Sequence, residues 1–429
     1  MRKTFLLTVA ALAVTAVVGA TAGARPTATP GVTAKSILLE GTYPLSGPAS
    51  GYAPIPVGMG AYFSYVNAQG GVNGRKINWH YEDDGYNPAN TVQITHKFVE
   101  QDHAFALVGG LGTEPQLAVR QYLNDNKVPQ LFVATGATTF DRDFAQYPWT
   151  IGWQPDYEAE GAIYGKYVAA NMPNAKIGIL YQNDSYGNDY LRGFKAGLRA
   201  HQSQIVTAQP YDLSATTPPA VQMVKIKASG ADTLVLFATP TPTIQAYVIG
   251  TKIGYKPANV ITNSVSATDA FLTIAEKSGS DIVEGSLSVE YTLDPANPIY
   301  NKQPGMKLYR QIMAKYAPKA NVNDGLNLYG VAKAWNVVQL LKSLGKNPTR
   351  AGLMAAARKM TFTPGKKNAN PFLLPGVSTY TRSNFQFPIT QVKLVKYVNH
   401  VFQPQGKLFA GRGALRSIRQ TRSTTRWRA

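Results

Sequence analysis

Gly109-Gly110-Leu111-Gly112-Thr113-Glu114 follows a short apolar run, Phe105 to Val108, and precedes Pro115. Glycines at a strand end let a ligand approach the backbone closely. A threonine where a helix opens offers a hydroxyl, and the free N–H groups and positive helix end beside it attract an anion. Phosphate is the first chemistry such a turn suggests. The G-x-G-x-x-G spacing fails, however, and there is no P-loop, while a carboxylate suits the same donors. Thr113 is read as the cap of a helix beginning near Glu114, and on this turn alone an ordinary βα turn explains the residues. Catalytic chemistry is thin. H-E-x-x-H and G-x-S-x-G are absent, and His80, His96, His103, His201 and His400 form no metal-spaced pair. Glu82-Asp83-Asp84 reads as a strand end or helix-capping carboxylates, because no second acid cluster accompanies it. No catalytic residue, metal ligand or cofactor is assigned, and a binding protein rather than an enzyme is expected.

Other polar residues fall where an open parallel sheet binds ligands, beyond the carboxyl ends of its strands. These are the loop Tyr43 to Tyr52, Ala134 to Thr138, Tyr186, Ala238 to Thr241 and Asn263 to Ser266. The candidate ligand-binding set is Tyr52, Gly112, Thr113, Ala134, Thr135, Gly136, Thr138, Tyr186, Thr239, Asn263 and Ser264. Taken singly, each is better explained as a cap or turn residue. Together these loops are rich in Ser, Thr, Tyr and Asn and poor in charge, the lining of a pocket that orients a small ligand by hydrogen bonds.

The elements that must position them follow a strand–helix rhythm. Ile37 to Gly41, Ile77 to Tyr81, Phe105 to Val108 and Val128 to Val133 read as strands. Between them lie helices carrying Met59, Tyr62, Phe63 and Val66, then Val92, Phe98 and Val99, then Pro115 to Leu123. The pattern restarts at Lys176 with strands through Ile177 to Tyr181, near Ile205, Thr233 to Phe237 and Val260 to Thr262. This alternation predicts an α/β fold of two parallel-sheet lobes with helices on both faces. From about Asp294 to Leu344 the chain reads as helical, with Tyr329, Ala332, Trp335 and Val338 on one face, and Phe385 to Val401 reads as a strand pair. These late elements have no third core of their own, so the chain must cross between the lobes more than once.

Residues 1–24 read as an export signal, with Arg2 and Lys3, the apolar stretch Phe5 to Val18 and the small residues Ala22-Gly23-Ala24. Residues 25–35 read as a linker. The formal charge is +19, and residues 411–429 carry six arginines and no acid, which reads as a disordered basic tail. A basic body favours anionic ligands or surfaces, although no nucleic-acid partner is expected. The sequence contains no cysteine. This rules out disulfides, thiolate zinc sites and a lipoprotein anchor, and leaves an exported protein in the periplasm or outside the cell.

Several stretches in order carry a family resemblance. They are Thr42-Tyr43-Pro44-Leu45-Ser46-Gly47-Pro48, Asn67 to Ile77 (NAQGGVNGRKI), Asp83-Asp84-Gly85-Tyr86-Asn87-Pro88, Val108-Gly109, Val128-Pro129, and Tyr181 to Gly187 in the second lobe. Over residues 36–410 the chain resembles the periplasmic substrate-binding proteins of branched-chain amino acid type ABC transporters. That resemblance implies the type I periplasmic-binding fold, two doubly wound parallel-sheet lobes joined by a three-stranded hinge. Lobe 1 would span about 36–152 and 290–372, and lobe 2 about 153–289 and 373–410. It also implies a small-molecule ligand, an amino acid or an organic acid, captured between closing lobes and delivered by a monomer to an ABC permease. A ligand-sensing module and a secreted hydrolase are the alternatives. Thr113 falls where the family holds a ligand carboxylate, Ala134 to Thr138 on the loop that supplies the next hydrogen bonds, and Tyr52 and Tyr186 at cleft-lining aromatics. The family's second-lobe acid, partner of a ligand ammonium, is replaced by Asn263-Ser264. Either Asp269 or Glu290 fills that role, or the ligand is a carboxylate without an α-amino group. The run Val128 to Gly136 also looks like members associated with aromatic or other organic acids.

Overall fold

The computed structural model describes residues 29–213, 217–362, 369–382 and 386–410. The expected export signal, the first linker residues and the basic tail lie outside the described residues. The first lobe is built from β1 (Ser36–Tyr43), α1 (Pro54–Ala68), β2 (Lys76–Asp83), α2 (Pro88–Glu100), β3 (Ala106–Val108), α3 (Thr113–Asp125), β4 (Gln130–Val133), α4 (Thr139–Arg142) and β5 (Thr150–Gly152). Its strands form one parallel sheet in the order β2-β1-β3-β4-β5. The central strands β3 and β4 are wholly buried, as a sheet covered on both faces requires.

The second lobe begins with α5 (Tyr157–Asn171), β6 (Ile177–Gln182), α6 (Ser185–Leu198), β7 (Ile205–Tyr211) and α7 (Ala220–Ala228). It continues through β8 (Thr233–Phe237), α8 (Pro240–Lys252), β9 (Asn259–Thr262), α9 (Asp269–Lys277) and β10 (Leu287–Glu290). The chain then returns to pack α10 (Pro304–Tyr316) and α11 (Gly325–Ser343) on α1, followed by α12 (Arg350–Ala357) and the small pair β11 (Thr361–Phe362) and β12 (Thr379–Tyr380). It ends with β13 (Gln391–Val398) and β14 (Val401–Ala410), back on the second sheet. That sheet runs β14-β13-β10-β9-β8-β6-β7. It is parallel from β10 to β7 and antiparallel at β13 and β14. The chain therefore crosses between lobes three times: after β5, after β10 and before β13.

The strand pair expected at 385–401 occupies 391–410 instead. Val398 pairs with Val401 across Asn399 and His400, whose φ values are 52° and 67°. This is a two-residue hairpin turn of the type that needs positive φ at both positions, and Asn-His lacks the glycine that normally marks it.

Two close helix crossings fix the frame. A Cβ on Gly161 or Gly165 of α5 would stand 2.4 or 2.2 Å from the carbonyls of Tyr190 and Phe194 in α6, so only glycine permits this approach. In the first lobe, Gly58 of α1 lies against Asn327, and Gly330 of α11 against Ile55. That contact brings the first turns of α11 to the edge of the cleft.

Candidate functional site

Between the lobes lies a cleft with about 950 Å³ of empty space, part of it open to solvent. From the first lobe it is lined by Tyr52, Ile55, Tyr86, Leu111, Gly112, Thr113 and Ala134, and by Gly325, Leu326 and Tyr329 of α11. From the second come Tyr157, Tyr186, Thr239, Ser264, Val265, Ala267, Thr268, Asp269 and Val289. The crossovers add Gln154 and Glu290 to Asp294.

At the first-lobe end, Gly112 rather than Thr113 occupies the capping position of α3, with φ 106° and ψ 142°. Glycine adopts this backbone without strain, so the helix starts one residue earlier than a threonine cap would allow. Thr113 is the first helical residue. Its Oγ1 lies 2.7 Å from Thr135 Oγ1 instead of capping the helix. The N–H groups of Thr113 and Glu114 stand at the helix's open end, where no preceding turn accepts them. Phe132, φ 57°, marks a bulge in β4 where the register with β5 shifts. Its buried ring packs 5.1 Å from Trp153, and the chain emerging from the bulge sets Ala134 beside Leu111. Bulges often re-aim residues next to functional sites in this way.

The walls are aromatic. Tyr52, Tyr86, Tyr157, Tyr186, Tyr291 and Tyr329 all face the cavity. Tyr329 donates to Gln154 Oε1 at 2.7 Å, and Gln154 Nε2 donates to Tyr157 at 3.0 Å. This relay ties α11, the first crossover and α5 together.

The opposite end is acidic. Asp269 opens α9, Glu290 ends β10, and Asp294 lies on the crossover. Asp269 is only 8% exposed, and its Oδ1 accepts the Phe402 N–H at 3.0 Å. Asp269 Oδ2, Glu290 Oε2 and Asp294 Oδ2 accept no N–H or hydroxyl of the protein, and the two aspartates hydrogen-bond each other when one is protonated. Burial, and after it the neighbouring Asp294 charge, pushes Asp269 up to about 9. Burial and the two aspartates hold Glu290 well above the usual carboxylate range, and burial raises Asp294. If both aspartates are ionised, neither offers the other a donor, so without a cation a shared proton is the economical arrangement. A fourth acid, Glu160, lies behind Ser264, taking the Ser264 N–H at 2.8 Å, its hydroxyl at 2.7 Å and the Tyr164 hydroxyl at 2.8 Å. Among the described residues, no lysine, arginine or histidine lines the cavity, although the chain as a whole carries +19.

A sequence model of the family described as Periplasmic binding protein matches residues 41–399. The chain belongs to the periplasmic binding protein family. Its fold is that of the branched-chain amino acid type. A solved branched-chain amino acid ABC transporter protein from Thermus thermophilus with bound valine superposes with a TM-score of 0.76 at 16% identity, covering 90% of this chain and 98% of that one. A fatty acid ABC transporter substrate-binding protein from Thermomonospora curvata gives 0.74 at 19% identity, covering 90% and 95%. An amino acid binding protein of Pseudomonas aeruginosa is 22% identical over 311 residues, 70% of this chain and 77% of its own.

Within this periplasmic binding protein, Tyr52, Gly112, Thr113, Ala134, Tyr186, Thr239 and Ser264 come together on the cavity wall. Thr135, Gly136, Thr138 and Asn263 lie outside that lining. Thr135 Oγ1 accepts the Ala137 N–H at 3.1 Å, and the Gly136 carbonyl accepts the Tyr157 N–H at 2.8 Å. The Thr138 N–H donates to Asp189 Oδ2 at 2.8 Å. Asn263 is fully buried, donating to Tyr186 Oη at 2.5 Å and to the Ala238 carbonyl at 3.1 Å. The Ala134 N–H donates to the Gly110 carbonyl at 2.8 Å. Of Glu82-Asp83-Asp84, Asp83 accepts the N–H groups of Leu45, Ser46 and Gly85, while Asp84 accepts the Tyr86 N–H and the Thr91 hydroxyl. Sequence reasoning missed Tyr86, Gln154, Tyr157, Tyr291, Asp294 and Tyr329. Only Tyr86 stood in a quoted motif.

Proposed function

We propose that this protein is the extracytoplasmic solute-binding component of an ABC importer, capturing a small amino acid between its lobes and delivering it to a membrane permease. The observation that carries the reading is the polarity of the cavity, which offers open helix N–H groups at Thr113-Glu114 and carboxylates at Asp269 and Glu290 with an oxygen that accepts no protein N–H or hydroxyl. A zwitterion satisfies both ends. A bare carboxylate, such as a fatty acid, would bring no cation to these acids. Export would follow from residues 1–24. The division into lobes at about 152, 290 and 372 accommodates hinge closure over the ligand.

Thr113 is the residue to test. Thr113→Ala in a folded protein should weaken amino acid binding by about 1–3 kcal/mol, the range for a lost hydrogen bond to a charged group. Calorimetric titration measures this directly, and an unchanged affinity would remove Thr113 from the ligand's carboxylate.

A further inference from the structure

One ligand ammonium needs one carboxylate, and the acidic end of the cavity holds three, from α9, β10 and the crossover. Asp269 is more than nine-tenths buried, with one oxygen fixed by the Phe402 N–H and the other accepting no protein N–H or hydroxyl. Glu290 and Asp294 each present such an oxygen as well. Among the described residues, no cationic side chain on the wall answers them. Such a cluster is costly in an apolar setting unless a cation enters it, and aromatic rings of the kind that line this cavity favour cations further.

We propose that the acids of the Asp269, Glu290 and Asp294 cluster not taken by the α-ammonium form a subsite for a second, distal cationic group of the ligand, so that the protein selects an α-amino acid with a basic side chain, an ammonium or guanidinium, over aliphatic ones. This rests on the amino acid reading above and specifies its substrate class. The carboxylate sits at the start of α3, and the basic side chain runs between the tyrosine walls towards the acids. Binding displaces the proton that the aspartates share, so it releases protons to solvent.

The test compares lysine with norleucine, which keeps the α-carboxylate, the α-ammonium and the chain but lacks the distal ammonium. Calorimetry on the full-length protein should give lysine at least about a tenfold advantage, the equivalent of a single 1.4 kcal/mol contact. Heats measured in two buffers of different ionisation enthalpy should differ by the released proton. Glu290→Gln should erase most of the lysine preference, lowering lysine affinity by more than norleucine affinity. Should that variant fail to fold, the lysine-to-norleucine ratio of the native chain decides alone. Equal affinity for the two overturns the distal-cation subsite and leaves the solute-binding reading standing. Cadaverine binding as tightly as lysine supports the subsite and removes the carboxylate from the reading. Absence of binding by lysine, arginine, norleucine, leucine and cadaverine overturns both.

Discussion

Asp269 is a side chain through which pH acts directly on this fold. Its carboxyl, ordinarily near 3.8, is held up to about 9 in the folded chain, so between those values the folded state keeps a proton that the unfolded state has lost. The stability of the ligand-free protein should therefore fall as pH rises from about 4 towards 9. Asp269→Asn preserves the acceptor for the Phe402 N–H and removes the ionisation. In denaturant titrations the variant should be more stable than the native chain at pH 8 by at least about 1 kcal/mol, the worth of less than one pK unit. The advantage should vanish at pH 4. A variant equally destabilised at both pH values would mean that the carboxyl is held ionised by the fold. The sequence pointed to Asp269 and Glu290 as possible acids but did not reveal that they converge with Asp294. Residues 269, 290 and 294 meet only because β10 and the second crossover bring them to the mouth of α9, and no local pattern encodes that. Thr113 and Tyr186 were legible because strand-end loops face the cleft by the geometry of any open parallel sheet. Tyr157, Tyr291 and Tyr329 were not, because they reach the cavity from crossovers and a returning helix.

Among the elements, α3 and α6 matter most to closure, because their N-termini meet across the cleft. Glu114, in the first turn of α3, accepts the Ser185 N–H at the first turn of α6 at 3.0 Å. Asp189, one turn further along α6, accepts the Thr138 N–H of the first lobe. Each is a bond that exists only while the lobes are together, so it stabilises the closed state and slows ligand escape. Glu114→Ala should raise the ligand dissociation rate and weaken affinity by about tenfold, since a hydrogen bond to a charged group is worth about 1.5 kcal/mol or more. Stopped-flow displacement reads the rate, and an unchanged rate would show that the contact does not limit opening. The strand–helix rhythm of both lobes could be read from the sequence because buried strands and amphipathic helices are local patterns. The glycine-mediated crossings of α5 on α6 and of α1 on α11 were not singled out. A helical glycine signals a close approach only once its partner is known, and the partners lie about 30 and 270 residues away in the chain.

At the scale of the whole molecule, three crossovers connect two sheets that, among the described residues, share no hydrogen-bonded strand pair. The cavity takes its wall from both sheets and from the crossovers, so a bound ligand bridges bodies that the covalent chain alone leaves free to separate. Ligand at a hundred times its dissociation constant adds about 2.7 kcal/mol against any opening that releases it. That stabilisation should appear on both sides of the cleft at once. Amide hydrogen exchange should slow together at the start of α3 in the first lobe, at α9 and β10 in the second, and in the crossover carrying Tyr291 and Asp294. The outer faces of α2 and α7, far from the cavity wall, should change least. Protection confined to one lobe would mean that the ligand occupies a surface of that lobe alone. It would also mean that closure is not coupled to capture. Protection on both sides with none in the crossover would mean that the acids there do not touch the ligand, and the amino acid would then be held by the α3 turn and Ser264.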